Sequence, residues 1–113
     1  MVINRTYIPN RGDLLWIDFS PQSGHEQAGI RPALCISPKQ YNQKVYLAII
    51  CPITSVAKGY PYEVELPANL KTKGVVLSDQ VKSLDWQKRT AEFIEKIPES
   101  TMNEVLAKLH TLL

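Results

Sequence analysis

Six short stretches of the chain combine apolar, branched and aromatic residues in the way that is typical of β-strands. The stretch Tyr-Glu-Val-Glu-Leu at 62–66 alternates polar and apolar side chains, which predicts a strand with one face in solvent. Residues 45–54 are the most hydrophobic stretch and predict the central strand. The predicted strands are 12–19, 32–38, 45–54, 62–66, 74–84 and 91–98.

The end of the chain changes to a helical period. Met102, Val105 and Leu109 recur at the spacing of an amphipathic helix. We expect Ser100 or Thr101 to cap this helix at its start, with a glutamate three residues after Thr101 completing a capping box. The strands follow one another too closely for helical crossovers between parallel strands. The pattern therefore predicts a mainly β fold with one α-helix, built as a small curved sheet or partly open barrel.

Length and composition limit the classes of protein to consider. The 113 residues suit one domain spanning 1–113, and the 44% hydrophobic content is enough for a core. A net charge of +2 is too small to indicate nucleic-acid binding by itself, but it is compatible with a local basic groove. No apolar run is long enough for a membrane span or a secretory signal, so we expect a cytoplasmic protein without membrane contact.

The two cysteines lie inside apolar runs. Cys35 and Cys51 have no metal-ligand spacing, which predicts reduced, buried thiols. The alternative is a nucleophilic cysteine, but no histidine or lysine is adjacent to either of them to lower the pKa.

A polar loop with the sequence Ser-Gly-His-Glu-Gln-Ala-Gly-Ile-Arg-Pro, residues 23–32, separates the first two predicted strands. It carries the imidazole of His25, the carboxylate of Glu26, the amide of Gln27 and the guanidinium of Arg31. Arg31 lies just before the second strand, and a planar guanidinium suits bidentate contact with phosphate. His25 has an ordinary pKa near neutrality, whereas Glu26 would need burial or a like charge to act as a base there. The alternative is a solvated loop whose arginine pairs with a nearby aspartate.

A second polar cluster follows the central strand. Thr54 and Ser55 offer hydroxyl donors for a phosphate oxygen, and Lys58 adds a mobile positive charge. Tyr60 and Tyr62 offer ring faces on which nucleobases can stack. The alternative is an ordinary turn with both tyrosines half in the core.

A third polar cluster interrupts an apolar strand. Asp79 and Gln80 stand in the middle of 74–84, a local inconsistency that often marks a functional site. A β-bulge or an exposed edge explains the same pattern without function. The histidines and acidic residues do not approach the spacing of zinc ligands, so we expect no metal, and we interpret His110 as a solvated or half-buried helix residue.

Taken in order, these segments resemble the MazF/PemK family of toxin ribonucleases. The resemblance rests on residues 12–38, on Cys-Pro-Ile-Thr-Ser, on Lys-Gly-Tyr-Pro-Tyr-Glu-Val, and on the stretches at 74–86 and 97–109. It implies an SH3-like, partly open β-barrel of the CcdB/MazF type that works as a homodimer and has no cofactor. It also implies metal-independent cleavage of single-stranded RNA, largely messenger RNA, by the substrate's own 2′-OH. A cognate antitoxin would neutralise the toxin, and operator DNA would be bound only through the antitoxin complex.

The resemblance also assigns site residues. The family's loop arginine and glutamate fall on Arg31 and Glu26, its threonine falls on Thr54, and the PemK-side histidine and aspartate fall on His25 and Asp79. Either Glu26 or His25 is the general base, and the sequence leaves this choice open. The predicted RNA-binding residues are Gln27, Ser55, Lys58, Gln80 and Lys82.

One position departs from the family pattern. Leu77 stands where PemK-like members carry a further arginine, which leaves Arg31 as the main guanidinium. Two other classes of function compete with the nuclease. A CcdB-like gyrase poison would not need the loop arginine and the threonine, and an SH3-like interaction module would present an aromatic groove without a cluster of acid, base and guanidinium.

Overall fold

The computed structural model describes residues 7–20 and 29–113, which form seven β-strands and two α-helices. The elements are β1 (Asp13–Asp18), β2 (Ile30–Cys35), α1 (Lys39–Val45), β3 (Ala48–Thr54), β4 (Glu63–Glu65), β5 (Val75–Leu77), β6 (Lys82–Leu84), β7 (Glu92–Lys96) and α2 (Glu99–His110). The strands form an antiparallel sheet in the order β4-β5-β3-β2-β1-β7, and β6 also pairs with β3. The predicted mainly β fold with a C-terminal helix is confirmed. The sheet is not closed into a barrel, because β4 and β7 end the strand path without pairing with each other in the described residues.

Both faces of the sheet bury apolar side chains. Leu14 and Leu15 are neighbours on β1 and both are fully buried, but they belong to different core clusters because successive side chains of a strand point to opposite faces. Helix α2 covers the first cluster with Met102 and Val105, and Trp86 closes the second. No helix in the described part of the chain is long and apolar enough to cross a bilayer.

Helix α1 was absent from the sequence-based prediction, which assigned residues 45–54 to one strand. Val45 is the last residue of α1, and β3 begins only at Ala48. The helix lacks apolar periodicity and depends on the fully buried Asn42. The Asn42 amide donates to the carbonyl oxygen of Pro9 at 2.7 Å, and its backbone carbonyl accepts a hydrogen bond from the Trp86 indole at 3.0 Å. These tertiary contacts, rather than local propensity, explain the helix.

The single strand predicted at 74–84 is also wrong, because β5 and β6 are separate strands. The outer edge of β3 pairs with β6 at Ala48–Ile50 and with β5 at residues 53–54, and the register shifts between the two ladders. Residues 78–81 are therefore excluded from the sheet. They form a turn in which the Gln80 N–H donates to the Leu77 carbonyl oxygen at 3.1 Å. The polar interruption noted in the sequence is this turn.

Helix α2 begins earlier than predicted. Pro98 occupies the N-cap position with φ −62°, and no side chain caps the helix, so the expected caps at Ser100 or Thr101 are wrong. The Pro98 carbonyl oxygen accepts hydrogen bonds from the backbone N–H groups of Thr101 and Met102, both at 3.1 Å. These two backbone hydrogen bonds start the first turn of α2 without a side-chain cap.

Candidate active site

The ends of β2 and β3 bring two predicted catalytic residues toward each other. The ladder between these strands ends with the pair Ala33 and Pro52, and Arg31 and Thr54 each lie two residues beyond it, toward the same end of the sheet. Arg31 also pairs with Ile17 of β1, so its backbone is held in the sheet while its side chain is exposed. A strand-anchored guanidinium is positioned more accurately than one on a loop.

A depression of about 150 Å³ lies beside Thr54. Three of the predicted site residues line it, namely Thr54, Lys58 and Gln80. The other lining residues are Val56, Tyr60, Glu63 and Leu77. Residues that carry a hydroxyl, an ammonium group and an amide therefore border a common space that is open to solvent. Leu77, the departure from the PemK pattern, contributes an apolar wall instead of a second guanidinium.

Residues 55–62, called loop 55–62 below, form one side of this depression. The backbone N–H groups of Lys58 and Gly59 both donate to the carboxylate of Glu63, each with a 2.9 Å contact. Gly59 has φ +82°, a conformation that favours glycine and turns two consecutive N–H groups toward one anion. Ser55 is exposed at the start of the loop and does not line the depression.

Asp79 joins the site through a tyrosine. Tyr60 Oη donates to Asp79 Oδ1 at 3.0 Å, which connects loop 55–62 to the turn at 78–81. The pKa of Tyr60 is raised by partial desolvation of its hydroxyl. The hydrogen bond to Asp79 and the negative charge of Asp79 raise it further. The phenol therefore stays protonated and acts as a donor. The Tyr60 and Tyr62 rings lie 6.5 Å apart between centroids and are tilted by 58°, so they do not stack in parallel.

The last predicted RNA-binding residue, Lys82, lies outside the depression. Its ammonium group is 5.6 Å from the centroid of the Phe19 ring, within the range of a cation–π contact. Phe19 follows β1 at the end that leads to the polar loop of residues 23–32. Arg89 holds this end by donating to the carbonyl oxygens of Asp18 and Ser20 at 2.9 and 2.8 Å.

Three predicted residues lie outside the described part of the chain. They are His25, Glu26 and Gln27, and both candidates for the general base are among them. Glu63 was not among the predicted site residues, because in the sequence it is only a polar position of an alternating strand. A Lys-Gly pair shortly before a carboxylate is the one local signal for this contact, and it is a weak one.

The remaining candidates for chemistry stand apart from the depression. Cys35 and Cys51 are buried and not joined in a disulfide, and burial raises both thiol pKa values, that of Cys51 to about 12. Raised pKa values disfavour the thiolate and hence the nucleophilic alternative. His110 is exposed at the end of α2, as predicted. Within residues 7–20 and 29–113, no three metal-binding side chains converge.

The geometry defines a class of protein: a small open β-sheet with an arginine, a threonine and a polar depression at one end. The profile of the PemK-like, MazF-like toxins of type II toxin-antitoxin systems matches residues 10–113. The endoribonuclease toxin MazF of Escherichia coli K12 is 42% identical over 107 residues, covering 95% of this chain and 96% of its own. Endoribonuclease PemK of Escherichia coli is 34% identical and covers 99% of this chain and 87% of its own.

Solved structures agree with the sequence comparison. MazF from Deinococcus radiodurans is 52% identical with a TM-score of 0.87, covering 94% of this chain and 96% of its own. A MazE-MazF structure from the same organism gives a TM-score of 0.88 at 52% identity and the same coverage. The chain belongs to the PemK-like, MazF-like toxin family, and the predicted enzyme class, endoribonuclease, is confirmed.

Proposed function

We propose that this protein cleaves single-stranded RNA, chiefly messenger RNA, at short sequence motifs and thereby inhibits translation and growth. The observation that carries the proposal is the arrangement at the ends of β2 and β3. There Arg31 and Thr54 each lie two residues beyond the Ala33–Pro52 pair, toward the same end of the sheet, and Thr54 lines the same depression as Lys58 and Gln80. A guanidinium and a hydroxyl suit a phosphodiester, and the depression beside them suits an adjoining nucleotide.

The proposed chemistry uses the RNA's own 2′-OH as the nucleophile. A general base removes the 2′-OH proton, O2′ attacks the phosphorus, and the bond from phosphorus to O5′ breaks. A proton donated to O5′ completes the step, leaving a 2′,3′-cyclic phosphate on one fragment and a 5′-hydroxyl on the other. Because the nucleophile belongs to the substrate, no metal-activated water is required, and we propose a metal-independent reaction without a cofactor.

Arg31 and Thr54 stabilise the developing charge in this mechanism. Arg31 clamps the scissile phosphate and can also donate the proton to the leaving oxygen. Thr54 Oγ1 accepts a hydrogen bond from the Val56 N–H at 3.2 Å, and its own hydroxyl proton then points to a non-bridging oxygen. Positioned donors of this kind typically contribute a factor of roughly 10² or more to the rate.

The general base is Glu26 or His25, and Asp79 orients the groups around the phosphate. Asp79 Oδ1 already accepts the Tyr60 hydroxyl, so Oδ2 is the oxygen that faces other partners. The RNA is held on either side of the scissile bond by Gln27, Ser55, Lys58, Gln80 and Lys82.

The partners follow from the family. A structure of the related Deinococcus protein is a MazE-MazF structure, and we propose that a cognate antitoxin likewise neutralises this chain. We further propose that the toxin works as a homodimer in the cytoplasm, and that operator DNA is contacted only through the antitoxin complex.

A labelled RNA with a single 2′-deoxy substitution tests the mechanism. The purified protein should cut the all-ribose strand in the presence of EDTA and leave the strand intact where the scissile 2′-OH is missing. Mapping the 5′ ends of the fragments should give hydroxyl termini and the sequence preference together. Cleavage at the substituted nucleotide would contradict 2′-OH attack. Inhibition of gyrase without RNA cleavage would support the CcdB-like alternative.

A further inference from the structure

The carboxylate of Glu63 forms part of the wall of a depression that we propose binds an anionic polymer. Oε2 accepts the Lys58 N–H at 2.9 Å, and Oε1 accepts the Gly59 N–H at 2.9 Å and the Lys58 N–H at 3.2 Å. A bare carboxylate in this place would repel a phosphate. The two backbone N–H groups offset part of the negative charge of Glu63. Their hydrogen bonds to the carboxylate also hold the backbone of the loop in place.

The Glu63 carboxylate fixes the backbone conformation of loop 55–62. Lys58, Gly59 and Tyr60 are consecutive, and two of their three N–H groups are bonded to Glu63. Lys58 and Tyr60 both line the depression, and this carboxylate holds the backbone from which their side chains start. If the hydrogen bonds to the Glu63 carboxylate are lost, the backbone that carries the Lys58 and Tyr60 side chains is no longer held.

Glu63 is itself held from the opposite side. The ammonium group of Lys108, on α2, donates to the carbonyl oxygens of Pro61 at 2.6 Å and Glu63 at 3.2 Å. The C-terminal helix therefore supports the end of the loop, while the Glu63 side chain supports its middle. The two contacts together connect the core-packed helix to the wall of the depression.

We propose that Glu63 is a positioning residue for RNA binding, and that it acts through the N–H groups of Lys58 and Gly59 rather than by touching the substrate. The inference rests on the proposed function. It predicts that Glu63 affects KM and affinity for RNA, whereas kcat depends on the groups at the phosphate. It also predicts that the contribution of Lys58 to binding requires Glu63.

Variants at Glu63 test the proposal against a matched control on the same strand. Glu63→Ala removes all acceptors, Glu63→Gln keeps one carbonyl acceptor, and Glu65→Ala removes the same charge from an exposed position of β4. We expect Glu63→Ala to raise KM roughly tenfold with kcat nearly unchanged. Glu63→Gln should recover part of the loss, and Glu65→Ala should behave like the wild type.

A double-mutant cycle with Lys58→Ala separates positioning from a general loss of structure. If Glu63 positions Lys58, Glu63→Ala should have a smaller effect on KM when Lys58 is already alanine. The amide resonance of Gly59 in an NMR spectrum should shift in Glu63→Ala while resonances of β1 and β2 remain in place. The proposal would be overturned if the effects of the two substitutions on KM were multiplicative. It would also be overturned if Glu63→Ala lowered only kcat, or if Glu63→Ala and Glu65→Ala behaved alike.

Binding to short single-stranded RNA of random sequence, measured by fluorescence anisotropy, distinguishes this inference from the proposed function. A wild type that binds RNA but does not cleave it contradicts the proposed function alone, and weaker binding by Glu63→Ala still supports the positioning role. Equal binding by the wild type and Glu63→Ala overturns the positioning role, even if the wild type cleaves RNA. A wild type that does not bind RNA overturns both.

Discussion

The hydroxyl of Tyr60 donates a 3.0 Å hydrogen bond to the carboxylate of Asp79, and this bond links two loops that border the same depression. Tyr60 belongs to loop 55–62, which follows β3, whereas Asp79 belongs to the turn between β5 and β6. Both strands pair with β3, but at opposite ends of it. The β4–β5 ladder already joins these segments at the Glu63–Leu77 pair, and the Tyr60–Asp79 bond adds a side-chain connection between them.

Tyr60→Phe should weaken RNA binding without affecting the chemical step. The variant keeps an aromatic ring on which a nucleobase can stack, but it loses the hydrogen bond to Asp79. This hydrogen bond is partly exposed and contributes about 0.5–1.5 kcal/mol at most. We expect a two- to tenfold increase in KM, an unchanged kcat and a relaxed cleavage motif when cut sites are mapped on transcripts. Tyr62→Phe is the control, since it removes a phenol from the neighbouring ring, and it should leave the motif unchanged. An identical motif in both variants would contradict the role of the link.

Arg31→Ala should abolish cleavage and leave the fold intact. The side chain is exposed while the backbone pairs with Ile17, so its removal disturbs no buried packing. Loss of a phosphate clamp and proton donor should lower kcat by about 10²-fold or more. Arg31→Lys keeps the charge without the planar fork and should retain only part of the activity. Labelled RNA measures cleavage and circular dichroism measures the fold; full activity of a folded Arg31→Ala variant would refute the assignment.

Gly74→Ala should destabilise the sheet beside Thr54. Gly74 has φ +122°, and a Cβ at this position would lie 2.1 Å from the Thr54 carbonyl oxygen, which is backbone and cannot move aside. We expect a loss of about 3 kcal/mol or more in the free energy of unfolding, with cleavage reduced because Thr54 shifts. Gly12→Ala is the control. Gly12 has φ +92°, but no atom lies within 4 Å of the added Cβ. Urea denaturation should therefore show a smaller loss in the free energy of unfolding than for Gly74→Ala.

Glu95→Gln should make stability less sensitive to acid. Partial desolvation raises the pKa of Glu95, but hydrogen bonds from Thr72 and Lys71 outweigh it and lower the pKa below its ordinary value of 4.5. A carboxyl group with a lowered pKa stabilises the folded state above 4.5, and this contribution is lost as the pH falls through the folded-state pKa. Thermal melts between neutral and acidic pH should therefore show a smaller decline for Glu95→Gln than for the wild type. Glu92→Gln on the same strand should follow the wild type, and parallel curves for all three proteins would contradict the prediction.

The sequence predicted elements where the local pattern decides the structure. The alternation at 62–66 contains β4, and the helical period that begins at Met102 coincides with most of α2. Helix α1 could not be predicted in this way, because its anchor is the Asn42 side chain bonded to Pro9 and the helix backbone bonded to Trp86. Contacts between residues far apart in sequence leave no trace in local periodicity.

In the candidate site, too, the local sequence indicated some residues, whereas others depend on contacts between distant parts of the chain. Thr54 and Lys58 were predicted from a polar cluster after the central strand and Gln80 from a polar interruption within a strand, and all three line one depression. Glu63 escaped notice because its role depends on two N–H groups that a turn directs back toward the strand. The turn at 78–81 was visible as a polar interruption, but its exclusion from the sheet depends on the register of β3 with two different partners.

The division of the β3 edge between β5 and β6 bears on how such a toxin can evolve. Asp79, Gln80 and Val81 are exposed and belong to neither ladder, so replacing them leaves both sets of strand hydrogen bonds unchanged. Selection can therefore retune which nucleotides are recognised at positions 80 and 81 without disturbing either ladder, whereas a change of Asp79 also breaks its bond to Tyr60. Homologues that have diverged at positions 80 and 81 should melt at similar temperatures and still attack different transcripts.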